Sequence, residues 1–140
     1  MWKLTLLLLL SNLHTYSQGY KDTIYSVRGF TCSCKYHLNS GDNKGIFDRT
    51  EQPASYPGGE DEWKDFVKRN LDKSLNGKDK VEIRFEVDKN GDLSAFEILN
   101  QAPAQKLEEV VRLLKLSGKW FPSRQNGYCV KSFVRRTFEL

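Results

Sequence analysis

The chain has 140 residues, of which 29% are charged and 39% hydrophobic, and its formal net charge is +4. This length predicts a single domain, and the composition favours a folded globular protein over a disordered one. Acidic and basic residues are interleaved over most of the length, so the small positive charge does not indicate a nucleic-acid partner.

Residues 1–17 have the pattern of a secretion signal. Lys3 supplies the charge, residues 4–10 are apolar apart from one threonine, and residues 15–17 place small side chains where signal peptidase reads them. A membrane-spanning helix needs about 20 apolar residues, which this run does not reach. We predict cleavage before Gln18, an exported protein that is periplasmic or secreted further, and no membrane span after cleavage.

Residues 18–55 are predicted to be extended or partly ordered. Residues 23–27, Thr-Ile-Tyr-Ser-Val, have the composition of a short strand, and glycine and asparagine interrupt the residues that follow.

An amphipathic helix is predicted after Gly58 and Gly59. Residues 60–62 are all acidic, and negative charge is favourable at a helix N-terminus. The apolar residues recur with helical spacing and form one stripe that should pack on a sheet. They are Trp63, Phe66, Val67 and Leu71.

Residues 80–99 are predicted to form a β-hairpin. Apolar residues alternate with charged ones from Val81 to Val87, which is the period of a strand with one buried face. Asn90 and Gly91 tolerate the positive φ angles of a type I′ turn. The returning strand, residues 93–99, has Phe96 and Ile98 on one face.

A second helix and a last strand complete the chain. Pro103 suits the first turn of a helix, and Gly118 suits its C-terminus. The helix stripe consists of Leu107, Val110, Val111 and Leu114. Residues 128–140 are predicted to be one strand with Val130, Val134 and Phe138 on one face.

The order helix, strand, strand, helix, strand predicts a two-layer α+β domain over residues 56–140. Its three strands should form an antiparallel sheet with both helices on one face. Such a sheet has two open edges. The last strand carries Lys131, Arg135 and Arg136, which discourage pairing with a second copy but would accept an acidic or polar peptide strand.

Several segments from Ile46 to the C-terminus resemble the TonB C-terminal domain family, in the family's order and spacing. They are Tyr56-Pro57-Gly58-Gly59-Glu60, residues 81–91, Lys119-Trp120-Phe121-Pro122, and Asn126-Gly127 before a strand that begins at Val130. Residues 52–57 also resemble the family's Gln-Pro-x-Tyr-Pro segment, with one extra residue.

The resemblance implies a domain that binds a short peptide of an outer-membrane receptor, the TonB box, by adding it as a strand to the last strand. The candidate partner-binding residues are therefore Gln52, Pro53, Tyr56, Pro57, Val130, Lys131, Ser132, Phe133, Val134, Arg135 and Arg136. The same strand could instead pair two copies of the chain.

The N-terminus departs from the TonB transducer plan, which has a membrane anchor and a proline-rich spacer. The whole chain has only 4 prolines, and residues 11–14 do not match the anchor's Ser-x-x-x-His spacing. We therefore expect a stand-alone module that takes part in TonB-dependent transport but does not transmit motor force by itself. The alternative is an envelope structural or glycan-binding module, with Tyr128 and Phe133 as its aromatic platform.

The chain contains three cysteines, Cys32, Cys34 and Cys129. In an oxidising compartment a disulfide is expected, either from Cys32 or Cys34 to Cys129, or between Cys32 and Cys34. A metal site with His37 is the less favoured interpretation, because three close ligands do not make a tetrahedral set. We expect no metal and no other cofactor.

Catalysis is not expected. His37 is the only histidine beyond the predicted cleavage site, so a Ser-His-Asp set could be built only through it. A Cys34–His37 nucleophile pair would lie in a segment with nothing evident to orient it. We predict a protein that is not an enzyme.

Overall fold

A computed structural model describes residues 20–27, 30–37, 45–47 and 49–140. The predicted signal peptide lies outside the described residues. The described elements are β1 (Tyr20–Val27), β2 (Phe30–His37), α1 (Gly59–Asn70), β3 (Lys80–Val87), β4 (Leu93–Ile98), α2 (Ala104–Ser117), β5 (Ser123–Gln125), β6 (Tyr128–Val130) and β7 (Ser132–Glu139), with a 3₁₀ turn at Lys73–Leu75. None of the described helices has the length and hydrophobicity needed to cross a membrane.

The main sheet has the strand order β4-β3-β7 and is antiparallel throughout. Its central strand, β3, alternates as the sequence predicts, because Val81, Ile83, Phe85 and Val87 are all fully buried. The flanking charged residues face the other side of the sheet. This confirms the predicted three-stranded sheet, with one apolar face and one charged face.

Both helices cover the apolar face of this sheet, which confirms the predicted two-layer α+β arrangement. Trp63 and Phe66 of α1 share one core with Val110, Leu113 and Leu114 of α2. An aromatic cluster fills the space between α1 and the sheet. The ring centroids of Trp63 and Trp120 are 5.1 Å apart, and those of Tyr56 and Trp63 are 5.2 Å apart. The Trp63 ring also lies 5.8 Å from that of Phe138 on β7, centroid to centroid, which positions α1 beside β7.

A buried carboxylate joins the two helices. Glu109 of α2 is 7% exposed, and both of its oxygens accept hydrogen bonds from Arg112, at 2.7 and 2.6 Å. Glu109 Oε1 also accepts from the Asp72 N–H, and Arg112 donates to the Asn70 carbonyl at the end of α1. The hydrogen bonds from Arg112 hold the pKa of Glu109 below its usual value, although burial opposes that shift.

The β3–β4 turn differs from the predicted type I′ turn. That turn needs positive φ at two central residues, but Asn90 is not among the described residues with positive φ, whereas Gly91 has φ 82°. Instead the Asp88 carbonyl accepts from the Gly91 N–H at 3.0 Å, and the Asp88 carboxylate accepts from the Asn90 and Asp92 N–H groups. A Cβ at Gly91 would lie 2.1 Å from the Trp120 carbonyl oxygen, so glycine is required for this close approach.

The predicted single strand over residues 128–140 is wrong in its first part. The chain forms β6, leaves the ladder at Lys131, and enters the main sheet as β7. Val130 is buried, but in the sheet that contains β6, while Val134 and Phe138 pack on the core of the main sheet. The sequence does not reveal that the chain crosses from one sheet to the other here, because the residues on both sides of Lys131 have the composition of an amphipathic strand.

The second sheet has the order β1-β2-β6-β5. β1 and β2 are antiparallel, and β2 meets β6 in parallel through Lys35 and Tyr128. The predicted short strand, residues 23–27, lies within β1. Isolated bridges then join Phe47 to Ser132, Gln52 to Arg124, and Ser55 to Phe121, which hold the segment before α1 against the domain.

Candidate functional site

The outer edge of β7 is the side that faces away from β3. In an antiparallel strand, backbone groups point alternately to the two sides. Phe133 N–H donates to the Phe47 carbonyl at 3.1 Å, and the Lys131 carbonyl accepts from Phe47 N–H at 3.0 Å. Since Phe47 lies outside the main sheet order, the odd-numbered residues of β7 present their backbone groups to this outer edge.

Phe47 covers only the beginning of that edge. The outward N–H and C=O groups of Arg135 and Thr137 make no hydrogen bond within the part of the chain that the structure describes. The ladder to β3 is regular along this whole stretch, from the pair of Val87 with Ser132 to the pair of Lys80 with Glu139. Within the described chain, the second half of β7 therefore offers a regular strand edge with no hydrogen-bonded partner.

A groove of about 600 Å³ runs beside this half of β7 and is bounded by α1. We call it the α1–β7 groove. Its apolar part consists of Trp63, Val67, Leu71 and Phe138, which also pack on the core. Its polar rim consists of Glu60, Lys64, Lys68, Lys73, Asn76, Thr137 and Glu139. Backbone hydrogen-bonding groups and an apolar recess thus lie side by side.

Both carboxylates of the rim are held in ion pairs. Glu139 lies 3.5 Å from Lys80, and Glu60 lies 2.6 Å from Arg136. In contrast, Lys64, Lys68 and Lys73 make no ion pair with any described residue. The rim of the groove therefore has a surplus of positive charge.

Arg136 has a structural role that the sequence does not predict. Its guanidinium lies 5.9 Å from the ring centroid of Trp63 and 5.3 Å from that of Trp120, and it binds Glu60 at the start of α1. The buried Nε has no hydrogen-bond partner in the described chain. Arg136 faces the core side and holds α1 over β7, so it is not an exposed cation.

The other predicted partner-binding residues between Val130 and Arg135 differ in how much of each side chain is exposed. Lys131 pairs with Glu86 at 3.1 Å, and the guanidinium of Arg84 lies 4.5 Å from the Phe133 ring. Arg135 is exposed and makes no ion pair with the described residues. The remaining three are Val130 and Ser132, which are buried, and Val134, which is half-buried. At these three positions the side chain presents little surface to a partner.

The predicted partner-binding residues that precede α1 do not lie together at the β7 edge. Gln52 pairs with Arg124 of β5 through a backbone bridge and side-chain hydrogen bonds, and Pro53 beside it is exposed. Tyr56 is 2% exposed and Pro57 is fully buried, which corrects the expectation that their side chains face a partner. Tyr56 instead packs against Trp63, in the aromatic cluster that positions α1.

Cys129 is buried on β6 and is disulfide-bonded. The two other cysteines of the chain, Cys32 and Cys34, are on β2, and their side chains lie outside the described part of the structure. The disulfide bond excludes the expectation that leaves Cys129 free. Within the described residues, no cluster of three or more His, Cys, Asp or Glu could hold a metal ion.

The lysines of the groove rim were missed by sequence reasoning, although the sequence contains a signal for them. Lys64 and Lys68 are four residues apart and each follows a residue of the apolar stripe, Trp63 or Val67. That spacing places both lysines along one border of the stripe. The spacing of residues along α1 could not show that β7 lies next to these two lysines and forms the other side of the groove.

Comparison with known proteins found no matching family model, curated protein or solved structure. The resemblance to the TonB C-terminal domain therefore rests on sequence segments alone.

Proposed function

We propose that this protein is an exported, non-catalytic binding module that resembles the TonB C-terminal domain. In this proposal it binds a peptide segment of an outer-membrane receptor as an added strand on β7, in association with TonB-dependent transport. Its location would be the periplasm or the outer envelope, as the signal-like N-terminus indicates.

The observation that carries the proposal is the unpaired outer edge of β7 beside the α1–β7 groove. Outward backbone groups of Arg135 and Thr137 can form a ladder with an extended peptide. An added strand would place every second side chain toward the apolar part of the groove, at Trp63, Val67 and Phe138. Main-chain bonds would supply affinity, and the groove would select side chains.

The test distinguishes loss of binding at the β7 edge from loss of folding, and it uses two substitutions at one residue. Thr137→Pro removes an outward N–H and leaves the ladder to β3 intact, because Thr137 points away from β3. Thr137→Ala keeps the N–H and is the matched control. Each full-length protein is used as bait in an envelope extract from the native host, and captured proteins are identified by mass spectrometry.

The expected result is recovery of outer-membrane receptors by the wild-type chain and Thr137→Ala, and their loss with Thr137→Pro. Circular dichroism and thermal unfolding establish that all three baits are folded. Equal recovery by the proline variant would contradict strand addition at β7. Failure of all folded baits to retain any receptor would contradict the proposed function as a whole.

A further inference from the structure

Three lysines of the α1–β7 groove make no ion pair with a described carboxylate, whereas several other cations of the described domain do. Ion pairs neutralise Arg84, Lys106, Arg112 and Lys131, with nitrogen-to-oxygen distances of 2.6 to 3.1 Å. Lys64 and Lys68 border the same groove, and Lys73 lies at the same rim beyond the end of α1, all without a described carboxylate partner. The described chain therefore leaves positive charge beside the regular edge of β7.

Lys64 and Lys68 lie one helical turn apart on α1 and both border the groove. Like charges at positions i and i+4 of a helix repel each other, at a cost of about 0.2–0.5 kcal/mol. The exposed carboxylates of Asp61 and Asp65 lie on the same helix, but neither lines the groove. An anionic group in the groove would relieve the repulsion between the two lysines.

We propose that the α1–β7 groove selects an acidic extended peptide, with apolar side chains that enter the groove and carboxylates on the same face that meet the lysines of its rim. This inference rests on the proposed function, since it specifies the chemistry of the strand that β7 accepts. It names residues of α1, outside the strand itself, as the residues that determine specificity.

The two faces of an added strand would both meet cations. Side chains that face α1 would contact Trp63 and Val67, with Lys64 and Lys68 along their border. Side chains that face the opposite side would lie next to Arg135, which is exposed and makes no ion pair in the described chain. Carboxylates of the peptide are therefore favoured on either face.

A second copy of this chain is a poorer occupant than an acidic peptide. Pairing of two β7 edges would bring the lysine rim and Arg135 of one copy against the same groups of the other. Like charges opposite each other across a sheet are destabilising. The charge distribution thus argues against the edge-to-edge homodimer that an unpaired strand would otherwise permit.

The experiment measures fluorescence anisotropy of a labelled octapeptide, Glu-Thr-Val-Thr-Val-Thr-Glu-Thr, titrated with the full chain. In an extended strand its two glutamates and two valines share one face, so the carboxylates flank the valines that enter the groove. The matched peptide replaces every glutamate by glutamine, so that only charge differs. The test variant is Lys64→Glu/Lys68→Glu. The control variant is Lys78→Glu/Lys115→Glu, which makes the same change in net charge at exposed lysines that do not line the groove.

The wild-type chain is expected to bind the glutamate peptide about tenfold more tightly than the glutamine peptide, the sum of a few exposed charge pairs. This preference should disappear or invert in Lys64→Glu/Lys68→Glu, persist in Lys78→Glu/Lys115→Glu, and shrink as salt is raised. Thermal unfolding checks that both variants are folded.

The outcomes distinguish this inference from the function on which it rests. If the wild-type chain bound the two peptides equally and Thr137→Pro abolished binding of both, that result would overturn charge selection and leave strand addition intact. Binding of the glutamate peptide that survives Thr137→Pro would show simple anion attraction and overturn the inference. A preference that is equally lost in the control variant would attribute it to net charge and would also overturn it.

Discussion

The two edges of the main sheet are built differently. β7 has eight residues and pairs with β3 in an unbroken register, whereas β4 has six and its register shifts between Arg84 and Glu86. The extra residue on β4 makes a bulge, and Ala95 adopts φ 50° there. A bulge twists an edge and disfavours the addition of another strand. The bulge therefore protects the β4 edge, whereas the β7 edge is regular and, among the described residues, is paired only at its beginning, by Phe47.

The bulge in β4 also has a packing reason. Leu93 and Phe96 are three residues apart, so a regular strand would place them on opposite faces. Both pack against the core, together with Ile98. The inserted residue shifts the alternation by one position and returns Phe96 to the core face. Edge protection and core packing thus arise from the same irregularity.

The largest expected effect comes from placing proline on the inward side of β7. Val134 pairs with Phe85 of β3, so Val134→Pro removes a ladder bond and should destabilise the fold by about 3 kcal/mol or more. Thr137→Pro, on the outward side, should change the unfolding free energy far less. Urea unfolding of the two variants measures the difference. Similar losses of stability would show that the two sides of β7 are not distinct.

The next effect concerns α1, which forms one side of the groove. Glu109→Ala leaves the Asp72 N–H without its acceptor and Arg112 without its carboxylate partner, and should cost about 2 kcal/mol of stability. Peptide binding at the β7 edge should weaken as stability is lost. Glu109→Gln should retain part of the stability and part of the peptide affinity. Denaturant unfolding and peptide titration of the same variants test this. If Glu109→Ala were as stable as the wild-type chain, the carboxylate of Glu109 would not be needed to hold the two helices together.

The same carboxylate predicts a pH dependence. The pKa of Glu109 is lowered in the folded protein, from a value near 4.5 in the unfolded chain. The stabilisation is therefore fully present above about pH 4.5 and is lost as the pH falls through the lower, folded-state pKa. Urea unfolding measured from pH 6 to pH 3 should show that the free energy of unfolding falls more steeply in the wild-type chain than in Glu109→Gln. Parallel curves would exclude this contribution.

A smaller change would make the two edges alike. Deletion of Ala95 gives β4 the regular alternation of Leu93, Phe96 and Ile98 on one face without changing the core residues. The shortened strand should fold and should self-associate more than the wild-type chain, because its edge is no longer interrupted. Analytical ultracentrifugation at several concentrations measures this. A monomer at all concentrations would show that the bulge is not what blocks the edge.

The smallest expected effect is at Ala95 itself. A left-handed conformation strains alanine and not glycine, so Ala95→Gly should stabilise the protein by up to about 1 kcal/mol with the bulge retained. Ala95→Val is the opposite control, since a β-branched residue is poorly tolerated at positive φ. Thermal unfolding ranks the three proteins. A loss of stability in Ala95→Gly would indicate that the side chain matters more than the backbone strain.

Local patterns were sufficient for the main domain. Alternation in Val81, Ile83 and Phe85 and helical spacing in Trp63 and Phe66 each reflect a single buried face, which any fold must cover. Those faces, in their chain order, predicted a three-stranded sheet with two helices on one side. The site was predicted less well, because the sequence placed Tyr56 and Arg136 at a binding surface, whereas both lie against the aromatic cluster.

The sequence by itself determined the buried face of β3 and of α1, because side-chain periodicity is a local property of the backbone. Only the tertiary structure decided that the last strand divides at Lys131, that β6 joins a second sheet, and that α1 lies along the free edge of β7. Such pairings depend on contacts between residues distant in the chain, and a strand presents the same local pattern whichever partner it finds.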